Sequence, residues 1–143
     1  TRWFLAGMAA FALGHLAYVA AFVGSFGAPL APGIAGWVVI AGVLMLIAST
    51  EVWLAPHTGA LRWPVRGYGL VIGAMAVAAV LLPAGPGQAL MRTGAALFLV
   101  SDVILALRMF RLGAPGAQLL ASRILWPLYW GGQALILWGA VAG

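Results

Sequence analysis

The chain has no cysteine, no lysine and only two acidic residues among its 143 residues. Without cysteine it can form neither a disulfide nor a thiolate nucleophile, and it offers no sulfur ligands to zinc or to an iron–sulfur cluster. Charged residues make up 6% of the chain and hydrophobic ones 65%, with a mean hydropathy of +1.12. Soluble domains contain roughly 25% charged residues. This composition predicts an integral membrane protein.

Long apolar stretches, separated by short Gly- and Pro-rich breaks, divide the chain into five segments. Each stretch has roughly the 20 residues that a transmembrane helix needs, and the short breaks favour antiparallel neighbours. The predicted spans are Trp3–Phe26, Gly36–Leu54, Trp63–Leu82, Ala89–Phe110 and Ile124–Ala142. We therefore predict an all-α polytopic bundle of five transmembrane helices, which forms one domain over residues 1–143.

The arginines predict the orientation of this bundle. If the helices alternate in direction, six arginines fall on one membrane face and only Arg92 lies near the other. The six are Arg2, Arg62, Arg66, Arg108, Arg111 and Arg123. The positive-inside rule makes that face cytoplasmic, with the amino terminus inside and the carboxyl terminus outside. The richness in Ala, Gly and Leu favours a bacterial inner-membrane protein. The arginines form no continuous stripe, so nucleic-acid binding is not indicated.

Asp102 is the only aspartate, and it interrupts the fourth apolar stretch together with Ser101. A charged side chain at the centre of a membrane helix costs roughly 2.5–3.5 kcal/mol even on the insertion scales. Such residues are retained mainly where they line a polar pocket, pair with a cation or carry protons. Asp102 is therefore the main catalytic candidate. The alternative is a structural role, in an ion pair with an arginine or a hydrogen bond to His15. Ser101 either contacts the same site or bonds the carbonyl one turn back.

Five further polar or aromatic side chains fall in the middle and cytoplasmic half of the predicted helices. His15 and Tyr18 share a helix face at a spacing of three residues, and a buried imidazole needs a partner for at least one nitrogen. His15 is a second catalytic candidate, unless it only bonds a backbone carbonyl. Tyr68 and Tyr129 are either binding residues or interfacial anchors. Gln133 either orients a ligand or joins two helices.

The remaining polar groups favour structural roles or exclude particular chemistries. Glu51 lies near the cytoplasmic end of its span, where the favoured interpretation is that its side chain either extends to the membrane interface or pairs with Arg62 or Arg66. The Gly69-x-x-x-Gly73 spacing predicts close helix packing, as do two glycines of the first span, Gly7 and Gly14. Two acids and two histidines without a ligand motif give no basis for a metal site. No Gly-x-Ser-x-Gly elbow of a serine hydrolase is present, and no cofactor is indicated.

Four stretches, in this order, resemble the YhhN family of bacterial membrane proteins, which is related to animal lysoplasmalogenases. They are Phe4-Leu-Ala-Gly7 running to His15 and Tyr18; Arg62-Trp-Pro64-Val65 followed by Tyr68 and Met75; Gly94 to Phe98 continuing through Ser101-Asp102 to Ala106; and Tyr129 with Gln133. The third is the most specific. The family pattern has about eight helices and a Gly-Asp pair upstream of the first stretch, so we expect either further helices before Thr1 or a non-catalytic relative.

The resemblance implies hydrolysis of the vinyl-ether bond of lysoplasmalogen, which gives a fatty aldehyde and a glycerophospho-base. Asp102 would deliver the proton, with the upstream aspartate as a second carboxylate. His15, Tyr18, Tyr68 and Gln133 would position water or the headgroup of a lysophospholipid that enters from the cytoplasmic leaflet. Two other hypotheses stay open. One is a non-catalytic accessory subunit of a larger membrane complex; the other is a transporter or lipid-binding protein with Asp102 and His15 as a proton relay.

Overall fold

Five long helices make up most of the computed structural model, which describes residues 2–25 and 32–142. They are α1 (Arg2–Gly24), α2 (Gly33–Trp53), α3 (Arg62–Val80), α4 (Gln88–Phe110) and α5 (Pro115–Ala142), with short 3-10 turns at Ala55–His57 and Gly59–Leu61. All five are long and apolar enough to cross a membrane. The predicted all-helical fold with five spans is confirmed, and the chain is an integral membrane protein.

The helix ends match the predicted spans closely except in α5. That helix begins at Pro115, whereas the sequence predicted a break that continued to Arg123. At about 1.5 Å per residue α5 is about 42 Å long, which exceeds the roughly 30 Å hydrocarbon core of a bilayer. Its first turns are therefore helical without being needed to cross the membrane. The predicted end of the first span, Phe26, lies outside the described residues.

The chain forms two compact units, Thr1–Pro83 and Ala84–Gly143, and the prediction of one domain remains a prediction. In the amino-terminal unit, α3 packs against both α1 and α2. Pro64 stands in the first turn of α3, where a missing N–H costs little. The buried face of α3 includes Ile72 and Met75. Contacts between Ile47 and Gly73 and between Glu51 and Arg66 show that α2 and α3 run antiparallel.

Glycines allow the closest helix contact, which is between α4 and α5 in the carboxyl-terminal unit. A Cβ atom on Gly94 would lie 2.7 Å from the carbonyl oxygen of Gly132, and one on Gly139 would lie 2.7 Å from that of Gly87. Each pair is separated from the next by seven residues on both helices, which keeps the contact on one seam of an antiparallel pair. We call these four residues the glycine seam. Gly87 also has φ +78°, a conformation that favours glycine.

The predicted glycine packing in the amino-terminal unit is only partly correct. A Cβ on Gly73 would contact the side chain of Ile47 at 3.1 Å, so this glycine does lie at a helix contact. Added Cβ atoms on Gly7, Gly14 and Gly69 would meet no atom within 4 Å among the described residues. The spacing of small residues therefore identified one close approach, while the closer ones lie in the glycine seam.

Candidate functional site

Asp102 lies in the second half of α4 and is 8% exposed. It stands about 12 Å from the carboxyl end of the helix, at about 1.5 Å per residue. Phe98, one turn earlier on the same face, is buried. A carboxyl group held this deep in a membrane-spanning helix is costly when ionised. A protonated carboxyl group can donate a proton to a substrate.

Ser101 is fully buried beside Asp102, and its hydroxyl group has a local partner. The Ser101 Oγ–H donates a hydrogen bond of 2.7 Å to the carbonyl oxygen of Phe98, one turn back. This is the bond that the structural alternative predicted. The oxygen of Ser101 can still accept a hydrogen bond, because a hydroxyl group has two acceptor lone pairs. A role for Ser101 in binding stays a prediction.

Tyr129 and Gln133 form a hydrogen-bonded pair on α5. The Nε2 amide of Gln133 donates to the Tyr129 hydroxyl oxygen at 3.1 Å, across one helical turn. The Tyr129 ring also meets the buried Phe98 of α4 edge-on, with 5.1 Å between ring centroids. Since Phe98 is one turn from Asp102 on the same face of α4, Tyr129 packs against the helix surface that carries the carboxyl group. The carboxyl-terminal unit thus holds Asp102, Ser101, Tyr129 and Gln133.

His15 is the buried polar residue of α1, with 1% exposure. Its Nδ1 lies 2.7 Å from the carbonyl oxygen of Phe11. A carbonyl oxygen only accepts, so Nδ1 carries the proton, and in the neutral imidazole Nε2 is then an acceptor. The His15 ring meets the Tyr68 ring of α3 edge-on, with centroids 5.7 Å apart. These two predicted site residues are therefore brought together by the packing of α1 on α3.

Tyr18 was predicted to share a face with His15, and its described ring contact is with Phe22. The two rings are stacked, with 6.3 Å between centroids and 21° between planes.

The predicted site residues fall into two sets, one in each unit of the chain. The structure connects His15 with Tyr68 and Tyr129 with Gln133, while the roles assigned to all seven stay predictions.

Glu51 forms the ion pairs that its position predicted. The Arg66 Nε–H donates to Glu51 Oε1 at 2.7 Å, and the second guanidinium nitrogen, Nη2, contacts Oε2. Arg62 Nη2 lies 3.9 Å from the same Oε2. The Arg66 guanidinium also stacks over the Trp63 ring, 4.7 Å from its centroid. These side chains are partly exposed, so the pairs themselves contribute little to stability.

Two polar side chains near the turn between α4 and α5 have surroundings that the sequence did not predict. The Gln118 Nε2 amide donates to the carbonyl oxygens of Arg108, at 2.7 Å, and of Leu112. It thereby satisfies the carbonyl of Arg108, which the end of α4 leaves without an intrahelical partner, and that of Leu112 in the turn that follows. The Arg108 Nε is buried and has no hydrogen-bond partner among the described residues. Gln118 was missed because its segment was predicted as a break rather than as the start of a helix.

Comparison with known proteins identifies the family. Neither a curated protein nor a solved structure gives a significant match to this chain. The model of the YhhN family matches residues 1–140, which is nearly the whole chain. This match covers all four stretches whose residues resemble the family, including Ser101 and Asp102. On this evidence, the chain belongs to the YhhN family.

Proposed function

We propose that this protein is a membrane hydrolase that cleaves the vinyl-ether bond of lysoplasmalogen-type lipids. The observation that carries the proposal is Asp102, a carboxyl group 8% exposed inside a membrane-spanning helix of a YhhN-family protein. Family membership supports a lysoplasmalogenase-like activity. The buried carboxyl group is a residue able to act as the acid in that reaction. The lipid nature of the substrate fits a protein whose five long helices can all cross a membrane.

The proposed reaction begins with proton transfer from the Asp102 carboxyl group to the β-carbon of the vinyl ether. The double bond becomes an oxocarbenium ion, and a water molecule adds to the carbon next to the ether oxygen. The resulting hemiacetal collapses to a fatty aldehyde and the glycerophospho-base, and a proton returns to Asp102. General acid catalysis of this kind typically contributes about 100- to 10,000-fold to the rate.

The other predicted residues take supporting roles in this proposal. In the carboxyl-terminal unit, Gln133 orients the Tyr129 hydroxyl group, which can then donate its own proton to a water molecule or to the lipid headgroup. In the amino-terminal unit, the Nδ1–H of His15 is held by the carbonyl oxygen of Phe11, and the Nε2 of the neutral imidazole can act as a general base. Tyr68 positions the His15 ring through their edge-on contact.

The proposal is tested by aldehyde release from a 1-alkenyl lysophospholipid, using the purified full chain in nanodiscs. We expect Asp102→Asn to lower the rate about 100- to 10,000-fold, because an amide cannot deliver the proton. The saturated 1-alkyl ether analogue should yield no aldehyde with either protein. Unfolding midpoints of the wild type and Asp102→Asn show whether the variant is folded.

Three outcomes of this test discriminate among the hypotheses. Loss of aldehyde release in a folded Asp102→Asn variant supports the hydrolase. Equal aldehyde release by the wild type and Asp102→Asn removes Asp102 from the mechanism. No aldehyde release from the folded wild type contradicts the hydrolase proposal for this chain. The accessory subunit would then be the better hypothesis if Asp102→Asn also left assembly with a larger complex unchanged.

A further inference from the structure

Arg108 is a cation near the carboxyl end of α4 that the proposed reaction does not use. It follows Gly94 by fourteen positions, and Gln118 precedes Gly132 by the same number, so the two residues continue the glycine seam. The hydrogen bond from the Gln118 amide to the Arg108 carbonyl oxygen agrees with this alignment. Arg108 therefore lies on the side of α4 that faces the beginning of α5.

The guanidinium group of Arg108 has a donor that needs an acceptor. Its Nε is buried and finds no hydrogen-bond partner in the part of the chain that the structure describes. Buried polar groups in folded proteins nearly always have a partner, and leaving a charged donor without one is costly. The residue as a whole is partly exposed. An anion that approaches from the surface of the helix pair can supply the acceptor.

The depth of Arg108 suits the headgroup of a lipid. It stands about 3 Å from the carboxyl end of α4, whereas Asp102 lies about 9 Å further into the helix, at about 1.5 Å per residue. A lipid headgroup lies at the membrane interface and its chain points toward the middle of the bilayer. A lipid bound along this end of α4 therefore places its phosphate near Arg108 and the start of its chain near Asp102.

The separation of the two residues matches the covalent structure of a lysoplasmalogen-type lipid. Seven bonds join the β-carbon of the vinyl ether to the phosphorus atom, and an extended chain advances roughly 1.2 Å per bond, which gives about 8 Å. Leu105 lies between Asp102 and Arg108 on the helix surface, about 60° around the axis from each. A molecule that lies over Leu105 can present its vinyl ether to Asp102 and its phosphate to Arg108.

We propose that Arg108 binds the phosphate group of the lysophospholipid and so aligns the vinyl ether with Asp102. This assignment rests on the proposed hydrolase function and deepens it, because it names the residue that recognises the headgroup. A guanidinium group binds two phosphate oxygens through parallel N–H donors. The site therefore selects a single-chain lipid with a phosphate over a neutral alkenyl glycerol.

Photolabelling with a lipid that cannot be hydrolysed tests this site separately from the reaction. The probe is 1-alkyl lysophosphatidylethanolamine with a diazirine at the end of its chain, added to the full chain in nanodiscs of dioleoyl phosphatidylcholine. We expect saturable labelling that the unlabelled lipid competes away. Arg108→Gln should weaken this binding about tenfold, because hydrogen bonds to a charged group are lost. Arg108→Met, which keeps an apolar stem without a donor, gives the same comparison if Arg108→Gln does not fold.

A phosphate-free ligand and a second arginine provide the controls. 1-Alkyl glycerol should compete more weakly than the lysophospholipid, and equally in the wild type and Arg108→Gln, because it offers Arg108 no phosphate. Arg123→Gln removes the same charge from an exposed position of α5, on the face opposite the buried Ala121 and Leu125. It should leave the labelling unchanged. Unfolding midpoints show which variants are folded.

The phosphate site is overturned if the lysophospholipid does not compete, or if Arg108→Gln and Arg123→Gln have equal effects. It is also overturned if Arg108→Gln weakens the binding of 1-alkyl glycerol by the same factor. Competition by inorganic phosphate as strong as that by the lysophospholipid would contradict a lipid as the ligand. No hydrolysis occurs in this assay, so a failure of the hydrolase proposal leaves its result intact. If aldehyde release is observed, Arg108→Gln should raise KM about tenfold at unchanged kcat, the pattern expected when binding common to substrate and transition state is lost.

Discussion

His15 and Asp102 are two buried ionisable side chains that take different roles in the proposed reaction. The Nδ1–H of His15 donates to the carbonyl oxygen of Phe11, so in the neutral imidazole Nε2 is the acceptor nitrogen. Asp102 is 8% exposed and lies within α4, where an ionised carboxylate is costly. In the proposed reaction Asp102 donates a proton, and the Nε2 nitrogen of a neutral His15 can accept one.

A double-mutant cycle tests whether these two residues act in the same chemical step. His15→Asn keeps an amide donor for the Phe11 carbonyl oxygen but lacks the acceptor nitrogen. We expect it to lower aldehyde release, and we expect the His15→Asn/Asp102→Asn double variant to be about as slow as Asp102→Asn alone. Residues that act as a unit show this non-additivity. The measurement is kcat and KM for 1-alkenyl lysophospholipid in nanodiscs.

Additive losses would contradict a joint role, because independent contributions multiply in the rate. The comparison requires folded protein, so each variant is checked by its thermal unfolding midpoint. His15→Phe serves as the control, since it fills the space of the imidazole without providing a donor for Phe11. A loss of stability in His15→Phe that is absent from His15→Asn would show that the Phe11 bond is structural and separable from catalysis.

At the scale of elements, the glycine seam explains why α4 and α5 approach so closely. In a bilayer the hydrophobic effect gives helices little reason to associate, and small residues allow the van der Waals contacts that replace it. A Cβ on Gly132 would lie 2.9 Å from the Gly94 carbonyl oxygen and 3.1 Å from the Phe98 nitrogen. Both are backbone atoms, which cannot move without shifting the helix.

Neighbouring glycines of α5 provide a matched test of the seam. Gly132→Ala should destabilise the protein by about 1–3 kcal/mol, because the added methyl group forces the two backbones apart. Gly131→Ala should be neutral or slightly stabilising, since its Cβ would meet only Leu97 at 3.9 Å and alanine favours helix. The measurement is the free energy of unfolding in mixed micelles, followed by circular dichroism. Equal effects of the two substitutions would contradict the seam.

The sequence predicted the helices better than it predicted their contacts. Long apolar runs located all five spans, because a membrane helix is specified by composition over about 20 residues. The early start of α5 was missed, since Gly- and Pro-rich segments outside the hydrocarbon give no apolar run to recognise. The pairing of Glu51 with Arg62 and Arg66 was one of two structural roles that its depth predicted. The glycine seam was missed because two glycines seven residues apart are a weak signal in either helix alone, and only the packing of α4 on α5 shows that the two pairs face each other.

The sequence predicted which residues belong to the candidate site, but not how those residues contact one another. Asp102 and His15 stand out in sequence because ionisable groups are costly inside membrane helices. The pairing of Gln133 with Tyr129 follows from their separation by one helical turn. The contact of Tyr129 with Phe98, in contrast, depends on how α5 packs on α4 and cannot be read from the sequence. The contact of His15 with Tyr68 likewise depends on the packing of α1 against α3.

At the scale of the whole molecule, the absence of cysteine from the sequence makes the orientation in the membrane directly testable. Single cysteines can be introduced at exposed alanines in three connections between helices, Ala60, Ala84 and Ala114. The positive-inside rule places the arginine-rich ends in the cytoplasm. We therefore expect a membrane-impermeant maleimide to label Ala84→Cys in intact cells. It should label Ala60→Cys and Ala114→Cys only after the cells are permeabilised.

The cysteine-free parent protein is the control, and labelling is read from the mass of the purified full chain. The reverse pattern would mean that the arginines do not determine the orientation, and it would contradict a cytoplasmic amino terminus. Labelling of Ala60→Cys and Ala84→Cys from the same side would contradict a single crossing by α3, whose ends they flank. The same variants fix which leaflet reaches the charged cluster of Glu51, Arg62 and Arg66, since Ala60 lies two residues before Arg62.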